Sequence, residues 1–137
     1  MPLVLVARDP ELVSDEILEK LALELPTSVA LHLSVEGTEA ELNLTEIEVR
    51  FFDFGKFDVC NQPLEIVIFA NDYPERRKGL KVRVCSIRNG LRNLIPDLPN
   101  FWVWVRLTPG EFAESVRRGG STGIESEVED SNTSPGT

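Results

Sequence analysis

The sequence predicts an α+β domain built from two tandem β-α-β units that share a four-stranded sheet, with two helices on one face. Three observations predict it. A segment that opens the chain, Pro2-Leu3-Val4-Leu5-Val6-Ala7-Arg8-Asp9-Pro10, is loosely written again at Pro63-Leu64-Glu65-Ile66-Val67-Ile68-Phe69-Ala70-Asn71-Asp72-Tyr73-Pro74. Each copy leads into a run of apolar residues at helical spacing. Each helical run is followed by a second strand-like stretch, alternating apolar and polar in the first copy and aromatic-rich in the second.

In the first unit, about residues 2–55, residues 2–7 read as a strand. Asp9-Pro10-Glu11 reads as a helix start, with aspartate as cap and proline in the first turn. Ile17, Leu21, Leu25, Val29 and Leu33 recur every four residues and form one apolar stripe, which Pro26 interrupts by a kink or by a stop and restart. A strand over Val29, Leu31, Leu33 and Val35 is the rival reading. Residues 36–43 are a polar loop. Ile47, Val49 and Phe51 alternate with Glu46, Glu48 and Arg50 as a second strand, and an aromatic-rich turn follows.

In the second unit, about residues 63–108, Leu64 to Ala70 form a strand poor enough in charge to be covered on both faces. Asp72 and Glu75 have capping-box spacing, and Pro74 suits a first turn. Leu80, Val84, Ile87, Leu91 and Leu94 then make an apolar stripe, with Arg83, Arg88 and Arg92 off it. Residues 101–107 are the last strand. The crossovers should be right-handed, with the strands of each unit parallel. The domain spans residues 1–118, and residues 119–137 read as a disordered acidic tail.

The net charge of −9 argues against a nucleic-acid partner. Residues 119–137 hold four of the 23 acids and none of the 14 bases, so residues 1–118 still carry −5. No apolar run suggests a signal peptide or a membrane span. Cys60 and Cys85 have no metal or redox spacing and read as buried thiols of a reducing, cytoplasmic compartment. Lone His32 reads as structural or surface, and neither metal nor cofactor is implied. With both helices on one face, the other face of the sheet, tryptophans included, lacks cover within the chain. Such a face predicts self-association.

Proline at position 2, the tandem repeat and the uncovered sheet together resemble the tautomerase superfamily, over about residues 2–118. That group includes 4-oxalocrotonate tautomerase, 5-carboxymethyl-2-hydroxymuconate isomerase and macrophage migration inhibitory factor. Leu44-Thr45-Glu46-Ile47-Glu48-Val49 resembles the second strand of its short members, and residues 110–118 resemble their C-terminal end. The resemblance implies a fused double-unit chain assembling as a homotrimer, with a cofactor-free keto/enol tautomerase or isomerase activity on a small unsaturated keto/enol acid. Pro2, freed by removal of Met1, would be the catalytic amine. Arginines would hold the substrate carboxylate. Where the short enzymes have arginine at the helix start and on the second strand, this chain has Val13 and Glu48.

The carboxylate-binding candidates are therefore Arg50, Arg76, Arg77 and Arg106, with Arg8 a weaker one. Each has a plainer reading: Arg50 as the solvent side of a strand, and Arg76, Arg77 and Lys78 as a solvated charged face. Pro63 is internal, so its nitrogen is an amide without basic character. Phe51, Phe52, Phe54 and Trp104 read as core or subunit contact, or as an aromatic wall keeping the amine neutral. Two other functions fit the same scaffold: a hydratase, dehalogenase or decarboxylase, and a non-catalytic trimeric binding protein.

Overall fold

The computed structural model describes residues 2–111 and 113–117, so the acidic segment 119–137 lies outside the described residues. Four strands, β1 (Leu3–Arg8), β2 (Glu48–Asp53), β3 (Leu64–Asn71) and β4 (Phe101–Thr108), form one sheet in the order β2-β1-β3-β4. β1 runs parallel to β2 and β3 parallel to β4, while β1 and β3 meet antiparallel at the centre. The duplicated sequence thus becomes two parallel strand pairs joined back to back. The long helices α1 (Asp15–Leu33) and α3 (Leu80–Leu94) pack against each other on one face.

Side chains alternate along a strand, and this decides which face carries the core. Val4 and Val6 of β1 and Leu64, Ile66 and Ile68 of β3 are fully buried under the helices. Ile17, Leu21, Leu25, Val29 and Leu33 of α1, with Ile87 and Leu91 of α3, close that layer. Each such side chain contributes about 1.5–3 kcal/mol by leaving water. The other face presents ordered rows. Across β2-β1-β3-β4 they read Phe52-Ala7-Glu65-Trp102, Arg50-Leu5-Val67-Trp104 and Glu48-Leu3-Phe69-Arg106. Trp104 is 54% exposed and Phe52 51%. Leu5, Val67 and Phe69 are half-buried, so β3 is covered on one face only within this chain, rather than on both.

Local chemistry moves several boundaries. Asp9 does not cap α1; its carboxylate accepts from the Glu11 backbone in a separate turn, and Ser14 caps the helix by accepting from the Ile17 N–H. The helix runs through Pro26 to Leu33 without a break, which excludes both the restart and the strand over 29–35. The second unit's helix is instead broken. A one-turn helix α2 (Pro74–Arg77) carries Pro74 in its first turn, with Tyr73 rather than Asp72 in the cap position. Gly79, at φ +67°, then turns the chain into α3. A left-handed residue cannot continue a right-handed helix, and glycine adopts it without a Cβ penalty. Leu94 lies off the buried stripe and is exposed. Cys60 is also exposed rather than buried, in the loop before β3, and Cys85 is half-buried; neither is paired.

Candidate functional site

Pro2 is buried at the entrance of the central strand β1. Its carbonyl accepts from the Glu48 N–H at 3.1 Å, which continues the β1–β2 pairing by one step. The same continuation places Pro2 between Ile47 of the first unit and Ala70 of β3, both buried on the helix side. The Arg76 guanidinium binds the carbonyls of both Leu33 and Asn71, so the C-terminal end of α1 lies at this end of the sheet. The surroundings of Pro2 are therefore apolar side chains and the ends of three elements. Three clefts of about 330, 400 and 490 Å³ lie elsewhere, beside α3, along the β4 edge and at the far end of β1; Pro2 lines none of them.

The candidate arginines divide sharply. Arg76 is 2% exposed, and each nitrogen of its guanidinium donates to a backbone carbonyl. Nε donates to the Leu33 carbonyl at 2.9 Å and the two terminal nitrogens donate to the Asn71 carbonyl at 2.9 Å and the Ala40 carbonyl at 2.8 Å. The Tyr73 ring lies 5.4 Å from its central carbon. Burial lowers its pKa by disfavouring the cation, and the Tyr73 and Glu46 groups act in the opposite direction, yet an arginine stays charged. Arg77, one residue on, is exposed and pairs with Asp72 at 2.9 Å.

Arg50 and Arg106 are exposed on the open sheet face, on its two outer strands. Three strand spacings separate those strands, about 14 Å. Arg50 pairs with Glu48 at 3.1 Å, at the position where sequence comparison left an acid in place of an arginine. Arg106 shares the row of Leu3, the residue after Pro2, and makes no ion pair among the described residues. Arg8 sits at the opposite end of β1 from Pro2, about 20 Å along the strand. There it binds Asp53 at 2.8 Å, Asp15 at 2.6 Å and the Val13 carbonyl at 3.0 Å, which ties β1 to β2 and to the start of α1. Hydrogen bonds to Asp53 and then Asp15 hold its pKa above the ordinary value.

Phe51 packs into the helix-side layer, while Phe52 and Trp104 stand on the open face. Phe54 is half-buried beyond the far end of β2, away from Pro2. Among the described residues no cluster of histidine, cysteine, aspartate and glutamate is arranged to hold a metal.

No family model and no curated relative matches the sequence. Solved structures do. A fused 4-OT solved as an asymmetric trimer superposes with a TM-score of 0.55 at 13% identity, over 78% of this chain and 86% of that one. A macrophage migration inhibitory factor-like protein from Entamoeba histolytica gives 0.51 at 13% identity, over 80% and 90%. A third neighbour, solved after inactivation by 2-oxo-3-pentynoate, gives 0.51 at 14% identity, over 79% and 85%.

The chain has the fold of these structures. In that fold Pro2 opens the central strand of the first unit, and the duplicated Pro63 precedes the central strand of the second. Sequence reasoning reached Pro2 through the repeat, but it missed Ile47 and Ala70 as the residues flanking it. The signal was the alternation that puts every even-numbered residue of β1 on the helix side. Sequence reasoning read Arg76 as a carboxylate-binding candidate or as part of a solvated charged face, and the side chain is instead buried.

Proposed function

We propose that this chain is a cofactor-free tautomerase or isomerase of small unsaturated keto/enol acids, with Pro2 as the base after removal of Met1. The observation that carries the reading is the seat of Pro2: the start of the central strand, between Ile47 and Ala70, in apolar surroundings on a tautomerase fold. A free α-amine titrates near 7.7–8.0 in water, and burial lowers that by disfavouring the cation. An amine neutral near pH 7 removes a proton from an enol hydroxyl or an activated carbon and returns it elsewhere. Inactivation of one structural neighbour by 2-oxo-3-pentynoate, a small 2-keto acid, supports this class of substrate.

For the carboxylate of the substrate we assign Arg106 first, with Arg50 and Arg77 as further candidates. Arg106 is exposed and free of an ion pair among the described residues, on the same row as Leu3. Arg50 and Arg77 would first have to leave Glu48 and Asp72. Arg76 ranks last for this role, since it is buried and each of its guanidinium nitrogens already donates to a backbone carbonyl. The open face, with Trp104, Leu5 and Val67 in one row, supports a homotrimer in which that face is covered by neighbouring subunits; two structural neighbours were solved as trimers. Two unpaired cysteines fit a reducing, cytoplasmic compartment.

The test is ultraviolet-monitored ketonisation of simple enol acids by protein whose intact mass shows Pro2 to be the first residue. Activity should vanish when Met1 is retained and persist weakly in Pro2→Ala, which keeps a primary amine. Equal rates with and without Met1 would move the chemistry away from Pro2.

A further inference from the structure

We infer that Arg76 is the positioning residue of the Pro2 site, a buried cation that fixes the corner around Pro2 and disfavours protonation of its amine. The inference rests on the reading of Pro2 as the base. Its own ground is geometric. The Arg76 guanidinium bonds three carbonyls: Leu33 at the end of α1, Ala40 in the loop that leads to Ile47, and Asn71 at the end of β3. Pro2 lies between Ile47 and Ala70, so the Asn71 carbonyl belongs to the residue next to one of its neighbours, and the Ala40 carbonyl lies on the segment that reaches the other through a short helix at Leu44–Glu46. Pulling the α1 end, the 34–43 loop and the β3 end onto one planar group closes the helix-side cover over this end of the sheet.

The charge is as important as the bonds. Carbonyls satisfy the donors of a guanidinium but do not neutralise it, and Arg76 forms no ion pair among the described residues. Other charged groups around this end offset one another. Glu48 pairs with Arg50 and Asp72 with Arg77. His32 of α1 is held toward its neutral form by partial burial and then by Arg83 of α3, whose guanidinium binds the His32 carbonyl. Arg106 of β4 adds a further cation on the open face. Among the described residues Glu46 is the carboxylate that opposes Arg76, and it is half-buried with one oxygen accepting from the Asn43 N–H. A cation near an amine lowers its pKa by disfavouring a second positive charge beside it.

The experiment follows the Pro2 amine itself by nitrogen-15 chemical shift, in full-length proline-labelled protein that begins at Pro2. Arg76→Met should raise the amine pKa by about one pH unit; Arg76→Lys, which keeps the charge, should leave it near the parent value. Where substrate is turned over, Arg76→Met should shift the acid limb of kcat/KM to higher pH, whereas a lost carboxylate contact would raise KM instead. Should Arg76→Met fail to fold, the parent protein gives the answer alone: the Arg76 Nε resonance should move with the same midpoint as the Pro2 amine. An amine pKa indifferent to Arg76→Met, or an Arg76 resonance that ignores the Pro2 titration, overturns the inference while leaving Pro2 as a base possible. An amine titrating at the ordinary α-amine value, with no turnover, defeats both readings together.

Discussion

Arg76 donates from Nε to the carbonyl of Leu33 at 2.9 Å, joining the one-turn helix of the second unit to the last residue of the first unit's helix. That carbonyl belongs to a helix C-terminus, where no intrahelical donor remains. The Ala40 and Asn71 carbonyls are bound by the same guanidinium. An orphaned buried acceptor costs about 1–3 kcal/mol. Arg76→Met should therefore cost about 3 kcal/mol or more of unfolding free energy, read from the urea midpoint. A loss under about 1 kcal/mol would mean that water reaches all three carbonyls.

Backbone conformation gives the second expectation. Gly79 has φ +67° and open space where a Cβ would stand, so the cost of alanine there is conformational rather than steric against a neighbour. Gly79→Ala should lose about 1–2 kcal/mol. Pro26 is the opposite case, an imino acid inside a continuous helix. Pro26→Ala restores an N–H to the helical ladder and should raise Tm, by up to about 3 kcal/mol in stability. The pair of thermal melts should move in opposite directions; a stabilised Gly79→Ala would contradict the left-handed turn.

The fold was legible because burial and strand alternation report the same thing. Val4 and Val6, then Ile66 and Ile68, are spaced by two, and the α1 stripe by four, so which residues face the core followed from the spacing alone. What escaped were places where a side chain bonds to distant backbone. Asp9 looks like a cap but forms a turn of its own, and Ser14, directly before the acid-rich turn of Asp15 and Glu16, takes that role. Arg76, Arg77 and Lys78 are three adjacent cations, yet a one-turn helix ending at a glycine rotates just the first of them inward. Nothing in the local pattern distinguishes Arg76 from Arg77, because the acceptors lie 5 to 43 residues away. For the site, the sequence marked Pro2 through its repeat and left its neighbours to the register.

His32 sets a pH dependence whose sign can be fixed. Its pKa in the folded chain lies below the ordinary 6.5, first through partial burial and second through Arg83. The unfolded chain thus binds the proton more readily. The stabilisation from neutral His32 is fully present above pH 6.5 and is lost as pH falls through the lower folded value. Parent protein should lose stability below about pH 6.5 more steeply than His32→Gln. Urea midpoints collected between pH 5 and 8 decide it; parallel curves for the two proteins would show that carboxylates alone carry the acid sensitivity.

The centre of the open sheet face bears on assembly. Leu5 stands in the row Arg50-Leu5-Val67-Trp104, half-buried within one chain and flanked by apolar residues on β3 and β4. A second subunit covering that row would remove Leu5 from water completely. A charge placed there would then have to be desolvated without a partner, at a cost of several kcal/mol per subunit. In an isolated chain the same charge would remain in contact with water and cost little. Leu5→Lys should accordingly dissociate the assembly while leaving the far-ultraviolet circular dichroism unchanged. Leu23→Lys, an exposed position on α1, is the matched control and should leave assembly intact. Sedimentation velocity on the three proteins at equal concentration separates the cases. If Leu5→Lys sediments with the parent as one oligomer, the subunits meet through another surface, and the exposed edge of β4 with its apolar cleft beside Val84 and Cys85 becomes the place to look.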